Sequence, residues 1–193
     1  MTASPYGGRC PWPKDDPQMI AYHDTEWGVP QYDGKALWGK LVLDGFQAGL
    51  SWQVVLRKRE ALYAAFDDFD PEMVASFDEN KIEKLLQNPG IIRSRSKIKA
   101  AIGNAQAFLH MHEKGQDFSQ FLWSFVDGAP KINHLTTQAD MPTQSPESEA
   151  LSKALKKQGF KFCGPVIVYA FMQAVGMVND HLVTCSRWQA VQR

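Results

Sequence analysis

Helix signals run through this chain one after another, and no alternating strand series interrupts them. Leu37, Trp38, Leu41 and Val42 recur at helical spacing from Ala36 onward. Ser51 is placed to cap a second helix with Trp52, Val55, Leu56, Leu62, Tyr63 and Phe66 on one face. Asp70-Pro71 is a start signal, a capping carboxylate followed by a proline whose missing N–H costs nothing in the first turn. Asp78 opens a short helix toward Leu85 and Leu86, and Asn88-Pro89-Gly90 stops it. Ile98, Ile102, Ala105, Phe108 and Leu109 mark a longer helix ending before Gly115. Asp117 can cap the next, with Phe118, Phe121, Leu122 and Phe125 inside. The polar run TTQADMPTQSPESE, residues 136–149, reads as a loop between lobes. Helix resumes from Ala150 to Lys157, with Gly159 as its terminator. Pro165 opens a last long helix reaching Gly176; Val166 to Tyr169 has strand composition, but the apolar segment is longer than a typical strand. The expected fold is all-α.

The chain has 193 residues, enough for one large domain or two small lobes. We expect residues 1–193 to form a single unit of two closely packed helical lobes. The middle lobe covers about 36–135, and the other joins the N-terminal segment to 148–193. Formal net charge is zero, so a nucleic-acid role must rest on local patches. Three cysteines argue against a disulfide framework and suit a reducing, cytoplasmic setting. The N-terminus lacks the apolar stretch of a signal peptide. The most apolar run, 165–178, contains Gln173 and is too short to span a bilayer. A monomer without membrane association is the expectation.

The histidines and cysteines raise a metal question. His181 and Cys185 are four apart and can meet one ion on a helix or tight turn. Two ligands do not close a structural zinc site, which normally takes four. His110 and His112 point to different faces of a helix, and His134 stands alone in a loop. The set that remains is Cys10, His23, His181 and Cys185. The bland alternative is ordinary: free cysteines and lone histidines are often core residues. If one zinc ion is bound, four protein ligands leave no open position, so its role is structural and a zinc hydrolase is disfavoured. Cys163 is left to the core.

The segment DGFQAGLSWQVVLRKRE places a carboxylate, Asp44, inside an apolar helix, followed by small residues and then Trp52. One reading is a helical corner packed tightly on Gly45, Ala48 and Gly49. The other is a pocket wall, a carboxylate for polar recognition beside an aromatic plate for a planar ligand.

These residues carry a resemblance. RCPW (9–12), AYHDTEWGVP (21–30), GFQAGLSWQVVLRKRE (45–60), GIIRSRSKI (90–98), LWSFV (122–126), ALSKALKKQGFKFCG (150–164) and VNDHLVTC (178–185), in this order, resemble the bacterial 3-methyladenine DNA glycosylase I family of helix-hairpin-helix DNA glycosylases. The resemblance implies a helix-hairpin-helix glycosylase-like helical fold whose N- and C-terminal segments are joined by a structural zinc on Cys10, His23, His181 and Cys185. It implies a base pocket lined by Tyr22 and Trp52 with Trp12 nearby, and Asp44 and Tyr22 as the groups acting on the base. The family usually has glutamate where this chain has Asp44, whose carboxylate reaches about 1.5 Å less.

The implied activity is monofunctional base excision, hydrolysing the glycosidic bond of 3-methyladenine in double-stranded alkylated DNA. That base is cationic in DNA and leaves as a neutral molecule, so the enzyme need not protonate it. A carboxylate in a dry pocket favours the cation, and an aromatic plate adds stacking. Gln47 and Leu50, beside the pocket segment, are candidates to fill the gap left by the extruded base, and Gly49 between them is a candidate DNA contact. Leu50 can equally be plain core. Asp180 adjoins a zinc ligand and is read as structural rather than as a general base. The alternative from another class is a zinc-stabilised DNA-binding module without catalysis.

Charge is uneven along the chain. Arg93, Arg95, Lys97 and Lys99 form one basic stretch, and Lys153, Lys156, Lys157 and Lys161 another, while acidic residues concentrate at 67–83. Two basic patches opposite an acidic face would dock DNA on one side, although lysine-rich runs are commonly just solvated. The turn from Gly159 to Val166, with Gly164 before a helix N-terminus, can bind a phosphate through backbone N–H groups, with Lys161 beside it.

Overall fold

The structure is a computed structural model describing residues 8–192. Residues 1–7, which carry part of the N-terminal stretch read above for a signal peptide, and Arg193 lie outside the described residues. Helix α1 (Pro17–Thr25) starts where the Asp16 carboxylate accepts from the backbone N–H groups of Gln18 and Met19. Asp33 caps α2 (Gly34–Gln47) in the same way. Next come α3 (Trp52–Arg57), α4 (Arg59–Ala65), α5 (Pro71–Ala75), α6 (Glu79–Gln87), α7 (Arg95–Glu113) and α8 (Phe118–Trp123). Ser51, Asp70, Asp78 and Asp117 cap α3, α5, α6 and α8 as their sequence positions suggest. The C-terminal part supplies α9 (Pro146–Lys157), α10 (Pro165–Ala174) and the short α11 (Ser186–Ala190).

Four features differ from the sequence reading. The helix expected from Ser51 to Phe66 is two, broken at Lys58, whose ammonium donates to the Pro89 and Gly90 carbonyl oxygens at 2.9 and 3.1 Å. The polar run ends at Ser145, not Glu149, because Ser145 and Ser148 exchange a capping box and start α9 at Pro146. Helices α1 and α11 were not anticipated. Finally, two two-residue strands, β1 (Lys131–Ile132) and β2 (Val178–Asn179), pair in parallel. They are too short to show alternation, and the rest of the regular structure is helical.

Helix α2 runs through the middle of the protein. Leu37, Trp38, Leu41, Val42, Leu43 and Phe46 are all buried, and the helix packs against α7, α8 and α10. Trp38 lies fully inside and donates its indole N–H to the Asn104 carbonyl oxygen at 3.1 Å. Truncation to alanine there is expected to cost about 3–5 kcal/mol through the cavity it leaves. One continuous hydrophobic cluster takes residues from Leu37 to Val178. A second gathers Cys10, Tyr22, Trp27, Leu56, Ala174, Leu182 and Cys185, joining α1 to the C-terminal segment. No described helix is long and apolar enough to cross a membrane.

Candidate functional site

Two polar sites adjoin at this second cluster. At the first, Cys10, His23, His181 and Cys185 come together, all four buried, with one donor atom of each within 4.8 Å of the others. Cys185 Sγ lies 3.6 Å from His181 Nδ1 and 3.7 Å from His23 Nε2, and Cys10 Sγ lies 3.7 Å from His181 Nδ1. A tetrahedral ion with bonds of about 2.0–2.3 Å sets its ligand atoms roughly 3.3–3.8 Å apart, and these three separations fall in that range, so the cluster could hold one zinc ion. The outer nitrogens orient the rings. His23 Nδ1–H donates to Asp24 at 2.7 Å, and Asp24 is clasped by Arg9 through two bonds of 2.8 and 2.6 Å. His181 Nε2–H donates to the Trp27 carbonyl oxygen at 3.0 Å. His181 therefore turns its free lone pair toward both sulfurs, and His23 turns its own toward Cys185. A hydrogen bond from Cys10, helped by the two histidines, holds the Cys185 thiol well below the usual range. Gly28 is required for the close packing: with φ at +81°, a Cβ there would sit 2.9 Å from His181 Nε2.

The second site is a cavity of about 200 Å³ whose walls include Trp12, Tyr22, Trp27, Asp44, Gln47 and Trp52. Asp16 brings α1 onto α3 by accepting from Gln53 and Arg57 at 2.6 and 2.9 Å. That contact sets Tyr22 and Trp52 with ring centroids 5.2 Å apart. Trp12 meets Tyr22 edge-on at 6.3 Å and His23 at 5.3 Å, so it touches both sites. Three buried polar atoms around the cavity have no hydrogen-bond partner among the described residues: Trp12 Nε1, Trp52 Nε1 and Asp44 Oδ2. Unpaired buried groups cost about 1–3 kcal/mol each, which marks a place built for a polar ligand.

Asp44 is not alone. Its Oδ1 accepts from Lys40 Nζ at 2.5 Å, and that ammonium lies 4.3 Å from the Trp52 ring centroid. Burial pushes the Asp44 carboxyl up and the Lys40 ammonium down, and their mutual attraction opposes both shifts. Tyr22 is raised by its own burial, with the Asp44 charge adding to it. The sequence reading overlooked Lys40, although its spacing of four from Asp44 was the available signal. It also overlooked Trp27, which meets His181 edge-on at 4.6 Å and lines the cavity, and Gln138, Met141 and Gln173, which close the cavity from the loop and from α10.

The residues read as DNA-facing divide. Gln47 lines the cavity mouth, and Gly49, with φ at +76°, turns the chain to leave Leu50 41% exposed, which removes the core reading of Leu50. The turn from α9 to α10 lies nearby: Phe162 Cβ would touch a Cβ at Gly45 at 3.4 Å. Asn104 pins this turn through the Lys161 backbone at 2.8 and 3.1 Å, leaving the Lys161 side chain exposed, and Gly164 caps α10. The first basic stretch is corrected. Arg95 pairs with Glu79 and Glu83, Lys99 pairs with Glu79 at 3.1 Å, and Lys97 donates to the Phe46 and Ala48 carbonyl oxygens at 2.9 and 2.6 Å. Glu79 and Glu83 of α6 therefore lie against this stretch and engage Arg95 and Lys99, rather than facing away. Asp180 accepts from Asn133, Tyr169 and Gln173 at 2.6, 2.7 and 2.8 Å, and is tied into the structure.

Comparison with known proteins bears on this pair of sites. The family model described as methyladenine glycosylase matches residues 12–188. DNA-3-methyladenine glycosylase 1 of Escherichia coli is 54% identical over 177 residues, covering 92% of this chain and 95% of that protein. A crystal structure of 3-methyladenine DNA glycosylase I superposes with a TM-score of 0.91 at 53% identity, covering 92% of this chain and 98% of that one. A variant of 3-methyladenine DNA glycosylase I in complex with 3-methyladenine superposes with a TM-score of 0.90 at 39% identity, covering 96% and 98%. By sequence over nearly its whole described length and by fold, the chain belongs to the methyladenine glycosylase family.

Proposed function

We propose that this protein excises 3-methyladenine from double-stranded alkylated DNA, hydrolysing the glycosidic bond and leaving an abasic site. The observation that carries this reading is Asp44 Oδ2, a buried acceptor without a partner on the wall of an aromatic cavity. It is placed to accept from the exocyclic amine of an extruded base, while Tyr22 and Trp52 offer ring faces. Release needs no proton donated to the base, because the methylated base departs neutral. The protein's task is selection and orientation in a site shielded from water. Leu50 would fill the gap in the duplex, and the helix-hairpin-helix turn at Lys161 and Gly164 would hold the phosphates. Cys10, His23, His181 and Cys185 would hold one structural zinc, tying the segment that carries Trp12 to the C-terminal segment.

The deciding experiment is chromatography of bases released from methylated duplex DNA by wild type and Asp44→Asn. Wild type should release 3-methyladenine, and the variant about 100-fold more slowly, the worth of a hydrogen bond to a charged acceptor at the upper end of its range. Equal release would move recognition to Tyr22 and Trp52. No release by folded wild type would end the reading and leave a DNA-binding module.

A further inference from the structure

A buried ion pair is costly to form, and apolar residues of similar volume often serve stability equally well. Lys40 and Asp44 are such a pair, with side chains 18% and 2% exposed, in the middle of the apolar α2. Their order along the helix is the less favourable one, since a cation one turn before an anion runs against the helix dipole. Helix stability therefore does not account for the pair. The geometry around it does. The two carboxylate oxygens are unequal: Oδ1 is taken by Lys40, while Oδ2 is unpartnered in a residue that lines the cavity. Aspartate has only two side-chain torsions, so fixing one oxygen fixes the direction of the other. Lys40 itself lines a neighbouring cavity of about 260 Å³ that shares Tyr22 and Ala174 with the first. The same ammonium lies over the Trp52 ring, so a single group touches both the acceptor and the aromatic wall.

We propose that Lys40 is a positioning residue for base recognition: it holds Asp44 Oδ1 so that Oδ2 is presented to the cavity, and it braces Trp52 at a set distance from that acceptor. This rests on the cavity being the base pocket. Because the pair is neutral overall, the cavity offers an oriented acceptor more than a net negative charge, and recognition leans on the direction of the base's N–H. Apart from Lys40, the groups that feel the Asp44 charge are the hydroxyls of Tyr22 from α1 and Tyr63 from α4, while Glu26, beyond the end of α1, and Arg59 from α4 act on the Lys40 ammonium. Only Arg59 among these is cationic, and it is engaged by Glu26 at 2.6 Å. Without Lys40, the carboxyl would take up a proton at higher pH than it does now.

The test uses Lys40→Met, which keeps length without charge, Lys40→Arg, which keeps charge, and Lys40→Met combined with Asp44→Asn. Affinity for free 3-methyladenine is read by tryptophan fluorescence from about pH 5.5 to about pH 9, spanning the range in which a raised carboxyl titrates. Lys40→Met should weaken binding about 10- to 100-fold at neutral pH and move the acid limb to higher pH, with Lys40→Arg recovering most of the loss. On the Asp44→Asn background, Lys40→Met should change affinity less than about twofold, because Lys40 acts through Asp44. An unchanged affinity and acid limb in Lys40→Met overturns the proposal, as does an equal loss on the Asp44→Asn background. Should Lys40→Met not fold, the comparison of the double variant with Asp44→Asn alone decides by the same criterion. Wild type that binds no 3-methyladenine removes the base-pocket reading, and this proposal falls with it.

Discussion

At the cysteine–histidine cluster the outer nitrogen of each ring has a partner, whereas in the cavity beside it three buried polar atoms have none. The two sites share walls: Trp12 and Trp27 touch both. Yet one has the outer nitrogens of its rings bonded within the chain, and the other has buried polar atoms unpaired among the described residues. Satisfied buried groups hold a structure together, and unsatisfied ones mark where a ligand must supply the missing bonds. The same contrast appears at the surface. Arg95 spends its guanidinium on two glutamates, while the Lys161 ammonium makes no ion pair among the described residues.

Substitutions put that contrast to the test. The largest effect is expected from Cys185→Ala. Loss of the proposed zinc should lower stability by about 3–5 kcal/mol, a fall in Tm of roughly 10 °C, with metal content dropping in step. A variant with unchanged Tm and no metal in the wild type would make the cluster a hydrogen-bonded core instead. Leu50→Ala comes next and should separate the two kinds of region. Leu50 is exposed, so Tm should hold, while excision from duplex DNA falls about tenfold and binding of the free base is unaffected. Equal losses in both assays would place Leu50 in the pocket rather than in the duplex. The smallest effects compare two cations. Lys161→Glu should weaken DNA binding about three- to tenfold at low salt and flatten the salt dependence by about one phosphate contact or somewhat more. Arg95→Ala should change DNA affinity by less than about twofold, since its charge is already neutralised. Should Arg95→Ala prove the more damaging, the pairing with Glu79 and Glu83 gives way to phosphate when DNA arrives.

Much of the helical framework was legible because its signals are local. A capping carboxylate acts on N–H groups two or three residues away, so Asp70, Asp78 and Asp117 could be read directly. Helix α1 carries the same Asp-Pro start signal at Asp16-Pro17, yet it escaped notice. Its described buried residues are only Tyr22 and His23, so it shows almost no apolar stripe: it serves the site more than the core. Helix α11 buries none of its residues and is invisible for the same reason. The four-residue cluster was assembled from the sequence as a set, with the resemblance strengthening it, because ligands so far apart along the chain carry little spacing signal of their own.

What the sequence determined by itself, then, was the succession of caps, periods and stops, each depending on atoms within about one helical turn. The set of residue types available for chemistry was legible too. Which of those groups would be spent on one another was decided only by tertiary structure. Lys97 and Arg95 read as free cations until folding set carbonyl oxygens and glutamates against them. Lys40 carries no assigned role in the sequence, and only the fold takes it out of water with Asp44. The physical reason is desolvation. Whether a polar atom is buried, and whether its partner is buried with it, depends on segments distant in the chain meeting in space.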